Sequence, residues 1–225
     1  MTKLVYDTGI YAPPEIWARL RVDPAFCELL RLARVVNSLS LAYGPLIAPI
    51  EDQSPRARRE RTSAFAYVAA LLHEGLHTAQ SLGAHFRQLP AYRTGIATLL
   101  GDPDVQALRS ELLDRIRDEL VFHFDRDSIA EGLTRFPDGE VLVGTTSDAS
   151  HGQIYYDIGD DVLAGYLFGD AESQQAFLER FGAFMERTIE LFNRFVSASH
   201  SLMGAALQQM GCVQRPFARP MVPLE

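Results

Sequence analysis

Three times in this chain a helix-capping side chain stands directly before a proline: Asp23-Pro24, Ser54-Pro55 and Asp102-Pro103. Each pair marks a helix start. The Asp or Ser side chain accepts hydrogen bonds from unpaired N–H groups of the first turn. Proline lacks an N–H and has φ near the helical value, which suits the first helical position. Downstream of each start, apolar residues recur at helical spacing. After Pro24, Leu29, Leu30, Leu32, Val35, Val36 and Leu39 predict a helix that stops at Gly44-Pro45. After Pro55 the pattern predicts one long helix ending before Pro90. After Pro103, Val105, Leu108, Leu112, Leu113, Ile116, Leu120 and Val121 recur at mixed steps of three and four. A shorter helix over "YRTGIATLL" bridges the second and third.

Beyond Phe124 the pattern weakens. "DSIAEGLTRF" reads as a short helix and "PDGE" as a turn, while "EVLVGTTS" and "GQIYYDI" suit a small hairpin or irregular excursion. A long last helix begins after Asp170, with Phe177, Phe181, Phe184, Ile189, Leu191, Phe192 and Phe195 on a thick apolar face. The proline-rich tail, about 212–225, is expected to be extended. The expectation is a mostly α-helical bundle with long second and last helices and a small insertion around 138–160. In domain terms that is one helical domain over 1–225, with the insertion bounded at about 136–165.

Acidic residues outnumber basic ones by 29 to 21, for a formal charge of -8. Such a field repels nucleic acid, so an RNA-binding role needs a local basic patch. The densest is "PRARRER", where Arg56, Arg58, Arg59 and Arg61 sit at a helix start whose partial positive charge would assist phosphate binding. The plainer alternative is a solvated helical turn with Glu60 in its midst. No apolar run is long enough to cross a bilayer, and the first residues lack the apolar core of a signal peptide. Cys27 and Cys212 are isolated, which indicates neither a disulfide framework nor a cysteine metal site. The cytoplasm is the expected compartment, with no membrane partner.

"HEGLH", residues 73–77, has the spelling of a zinc-protease helix. His73 and His77 are four apart and project from one side, and Glu74 would act as general base on a zinc-bound water. The third ligand is missing from the local sequence. Gln80 and Gly83 stand where the HxxGxxH extension requires Gly and His, and no Asp or Glu occurs between Glu74 and Asp102. The competing account is packing. Phe65, Val68, Leu72, Leu76, Ala79 and Gly83 form the centre of the apolar stripe, and the histidines fall on its flank beside Ala66 and Ala70.

A second constellation lies in "DRIRDELVFHFD", residues 114–125. Arg117, Asp118 and His123 give an arginine, a polar residue and a histidine at a spacing that resembles the signature of the HEPN superfamily (higher eukaryotes and prokaryotes nucleotide-binding). The order of helices resembles the family in outline as well. The resemblance implies a helical bundle that dimerises and brings two motifs together. It further implies metal-independent RNA cleavage of toxin or antiviral-defence type, with no cofactor. His123 would move protons and Arg117 would clamp phosphate. Both assignments suit the side chains: imidazole titrates near neutral pH, and the guanidinium fork matches phosphate oxygens. Glu119, four residues before His123, either orients that ring or pairs with Arg115. On a regular helix Arg117 and His123 point about 120° apart, so convergence requires a distorted helix or a partner chain. Arg117 otherwise pairs with Asp114 or faces solvent. A helical interaction protein with neither activity is the third reading.

Overall fold

The computed structural model describes residues 4–47, 55–121, 126–134, 162, 166–167 and 174–220. It is mostly helical, as the three Asp/Ser-Pro starts require. Strand β1 (Leu4–Tyr11) leads into helix α1 (Pro14–Leu20) and the long helices α2 (Pro24–Leu46) and α3 (Pro55–Ser81). A short α4 (Gly83–Phe86), a widened turn (Tyr92–Ala97) and α5 (Thr98–Leu100) lead to α6 (Pro103–Leu108). Two further widened stretches, Arg109–Leu113 and Ile116–Val121, prolong α6. Helix α7 (Arg126–Leu133), the long α8 (Gln174–Gln209) and strand β2 (Val213–Pro220) complete the chain. The insertion expected around 138–160 lies outside the described residues.

The two aspartate caps behave as their chemistry demands, and Ser54 lies outside the described residues. Asp23 accepts from the N–H of Ala25 at 2.8 Å, and Asp102 from that of Asp104 at 2.9 Å. Asp102 also accepts from the Arg194 guanidinium, which ties the start of α6 to α8. That bond, more than the Asp104 N–H, holds the Asp102 carboxyl below its ordinary value.

Helix ends depart from expectation in two places. Helix α2 runs through Pro45 to Leu46, because a proline in the last turn removes one bond without ending the coil; Ile47 N–H still reaches the Tyr43 carbonyl at 3.2 Å. The second helix breaks at Leu82 instead of continuing towards Pro90. There the Tyr92 hydroxyl approaches within 2.5 Å of the place a Gly83 side chain would occupy. At the far end of α8, Gly211 takes φ 92. Its N–H bonds the Gln208 carbonyl at 3.0 Å and Cys212 N–H bonds Leu207 at 2.9 Å, a Schellman closure that turns the chain back. Strand β2 then pairs antiparallel with β1. The extended tail was foreseeable; its partner, some 200 residues earlier in the chain, was not.

Helices α2, α3 and α8 meet around one core. Leu32 and Leu39 of α2, Phe65, Val68, Leu72 and Leu76 of α3, and Phe195 and Leu202 of α8 are all buried. Tyr43 stacks on Phe192 with ring centroids 4.0 Å apart, and Phe65 meets Phe181 edge to face at 5.3 Å. The helices pack closely at Gly75, where an added Cβ would lie 2.6 Å from the Phe195 ring. Among the described residues, no helix is long and apolar enough to cross a membrane.

This packing has two measurable consequences. Gly75→Ala forces the fully buried Phe195 ring to move, and is expected to destabilise the fold by about 1–3 kcal/mol, read from the urea midpoint. The second concerns pH. Asp102 titrates lower when folded than when unfolded, so its stabilisation is complete above about pH 4, the unfolded value. It is lost as pH falls through the lower folded value. In thermal melts, wild type exceeds Asp102→Asn at neutral pH, and the gap narrows as the pH drops below about 4.

Candidate functional site

The flank of α3 that carries His73 and Glu74 faces the widened continuation of α6. Helical periodicity puts the apolar stripe into the core and leaves this polar edge at the seam between the two segments. His73 is mostly buried, Glu74 is partly exposed, and His77 is exposed.

Across the seam the backbone departs from a regular helix. The Asp114 N–H bonds the Arg109 carbonyl, five residues back. This wider turn stacks side chains five apart, and Arg109 Nε lies 3.5 Å from Asp114 Oδ1. The same Asp114 oxygen is 3.1 Å from His73 Nε2. Neither approach has the angles of a hydrogen bond, and Asp114 Oδ1 and His73 Nδ1 are buried without a hydrogen-bonding partner among the described residues. His73 Nδ1 in turn lies 3.6 Å from Glu74 Oε1, so the ring sits between two carboxylates.

Glu74 makes the hydrogen-bonded link across the seam. Arg117 Nε donates to Glu74 Oε1 at 2.8 Å, and Arg117 Nη1 donates to Asp118 Oδ1 at 2.5 Å. The two bonds, Asp118 first and Glu74 second, hold the guanidinium above its ordinary value and permanently charged. They also fix its plane. Among the described residues Arg117 Nη2 meets no partner, and the side chain is 34% exposed. Arg117 therefore pairs with Glu74 and Asp118, not with Asp114 as a regular helix would favour.

The two motifs read separately from the sequence thus share one site. His73, Glu74, Arg117 and Asp118 come together, and Arg109 and Asp114 join them. Arg109 carried no sequence signal, because a five-residue partnership exists only in a widened turn. His123 and the side chain of Glu119 lie outside the described residues. So do the side chains of Arg56, Arg58 and Arg59; Arg61 is partly buried.

The donor set does not fit the zinc arrangement that "HEGLH" spells. Glu74, the base that arrangement needs, is bonded to a guanidinium, and a dication held by His73 would sit against that positive charge. His73 is turned towards Asp114, while His77 lies on the exposed side. No group of three or more His, Cys, Asp or Glu among the described residues is placed to hold a metal ion.

Glu74 and Arg117 are each about one-third exposed, so solvent screens their pair. A double-mutant cycle with Glu74→Ala and Arg117→Ala is expected to give a coupling of about 0.5–1 kcal/mol that weakens with added salt. Compared with known proteins, the chain matches no family model, no curated protein and no solved structure.

Proposed function

We propose that this chain is a HEPN-like helical protein that cleaves RNA without a metal, as a homodimer, in a toxin or antiviral-defence role in the cytoplasm. The observation that carries this reading is Arg117: a charged fork fixed in plane by two carboxylates, with Nη2 left for an incoming anion. The resemblance of Arg117-Asp118 and His123 to the family signature supplies the rest.

In this reading the RNA 2′-hydroxyl attacks the adjacent phosphorus. The O2′–P bond forms and the P–O5′ bond breaks, leaving a 2′,3′-cyclic phosphate and a 5′-hydroxyl. His123 takes the 2′-hydroxyl proton, and the second copy's motif supplies a proton to the leaving oxygen. Arg117 steadies the charge that builds on the phosphate oxygens. Arg56, Arg58, Arg59 and Arg61 hold the strand further along.

A second reading draws on the same arginine. Two carboxylates already offset its charge, which suits a helical interaction protein in which the cluster only pins α3 to the α6 continuation. RNA cleavage separates the two. The ribonuclease reading expects cutting that persists in EDTA, falls by about 10²–10⁴ in His123→Ala, and falls by about 10²–10³ in Arg117→Ala. Gel-resolved cleavage of a labelled single-stranded RNA measures all three. Undiminished cutting by His123→Ala sinks the His123 mechanism, and no cutting by wild type sinks the ribonuclease and leaves the interaction protein.

A further inference from the structure

We infer that Glu74, the glutamate of "HEGLH", is a positioning residue for Arg117: it reaches across from α3 to hold the guanidinium in the orientation that meets phosphate. The inference rests on the ribonuclease reading and assigns to the α3 motif a part in that chemistry.

The geometry is specific. Glu74 accepts from Nε and Asp118 from Nη1, so the two carboxylates hold different nitrogens of one plane. Asp118 is adjacent to Arg117 in the chain and moves with it. Glu74 comes from another helix, 43 positions away, and fixes the fork relative to the rest of the protein. A guanidinium on a long flexible stem loses little further freedom on binding when it is already held. Misplacement of such a group by about 1 Å can cost about a hundredfold in rate.

Beside Glu74, His73 and Asp114 line the same seam, with Arg109 behind Asp114. They flank the pair on its inner side, while about one-third of each side chain stays open to solvent. The next residue, Gly75, is packed on the Phe195 ring, so the backbone that carries Glu74 is itself anchored in the core. A purely stabilising bridge needs neither feature.

Charge separates positioning from binding. Glu74, Asp118 and Arg117 sum to one net negative charge. Removing Glu74 brings that sum to zero and should favour RNA binding while loosening the fork. Glu74→Ala is therefore expected to lower kcat at least tenfold while KM falls or holds. Glu74→Gln keeps an oxygen acceptor for Nε–H and is expected to stay within a few-fold of wild type in kcat. A structural role alone would lower the thermal midpoint of Glu74→Ala and leave kcat of the folded fraction unchanged.

The experiment is steady-state cleavage of a labelled single-stranded RNA by the full chain, comparing wild type, Glu74→Ala, Glu74→Gln and His123→Ala. Thermal melts of each protein run in parallel. A kcat loss in Glu74→Ala that Glu74→Gln largely restores, with KM not raised, supports the positioning role. Glu74→Ala cutting as fast as wild type overturns it and leaves the His123 mechanism standing. Wild type that does not cut overturns the ribonuclease reading, His123→Ala that cuts undiminished overturns the His123 mechanism, and this role falls with either.

Discussion

The bundle depends on a side chain that is absent. At Gly75 the Phe195 ring of α8 lies where a Cβ would be, with Val35 of α2 3.1 Å away on the same spot. Three long helices converge there, and any larger residue would hold them apart. The fully buried Phe195, Leu72 and Leu76 depend on that spacing, since protein interiors are packed to the density of organic crystals. The same glycine is the third letter of "HEGLH". Packing alone therefore accounts for a small residue at one of the motif's five positions.

Closing that core sets the polar seam. With Leu72, Leu76 and Ala79 facing inward, His73 and Glu74 must lie at the edge of α3 where the α6 continuation passes. The widened turns along that continuation then decide who meets whom. Arg109 and Asp114, five apart, come within 3.5 Å, and Arg117 turns to Glu74. Arg187 of α8 reaches Glu111 at 2.9 Å, and Arg194 reaches Asp102, so α8 grips the same segment from its other side. The site is carried on helical segments rather than displayed on a loop, which favours a fixed arrangement of charges.

Much of the helical scaffold was legible because its signals are local. A capping Asp next to a proline needs only neighbouring residues, and Asp23 and Asp102 form the bonds that chemistry implies. The Phe65-to-Gly83 stripe is buried for the same reason: helical period alone selects a face. What stayed hidden depends on distance or on irregular backbone. The β1–β2 ribbon pairs the two ends of the chain, and neither strand is marked as such by its own sequence. Glu74 and Arg117 are 43 positions apart, so each taken alone suits a different chemistry, and only the fold joins them. The widened turns have no signature among the apolar residues at all; the spacing of Leu108, Leu112 and Leu113 suits an ordinary helix equally well.

The charge at the seam bears on what it can bind. Among the described residues, and leaving His73 aside, Glu74, Asp114 and Asp118 face Arg109 and Arg117, which leaves one net negative charge. Phosphate does not settle on such a site by attraction to it. Two sources of positive charge would change the sum. One, in the proposed ribonuclease reading, would be a protonated His123. The other is the arginine run at the start of α3: Arg61 lies thirteen residues before Glu74, which is ~20 Å along a straight helix. On the proposed ribonuclease reading, an RNA strand laid along α3 would run from that arginine-rich start of the helix towards Arg117. Binding energy would then come from the basic helix start, while the seam contributes orientation, which is the division that favours rate over ground-state affinity.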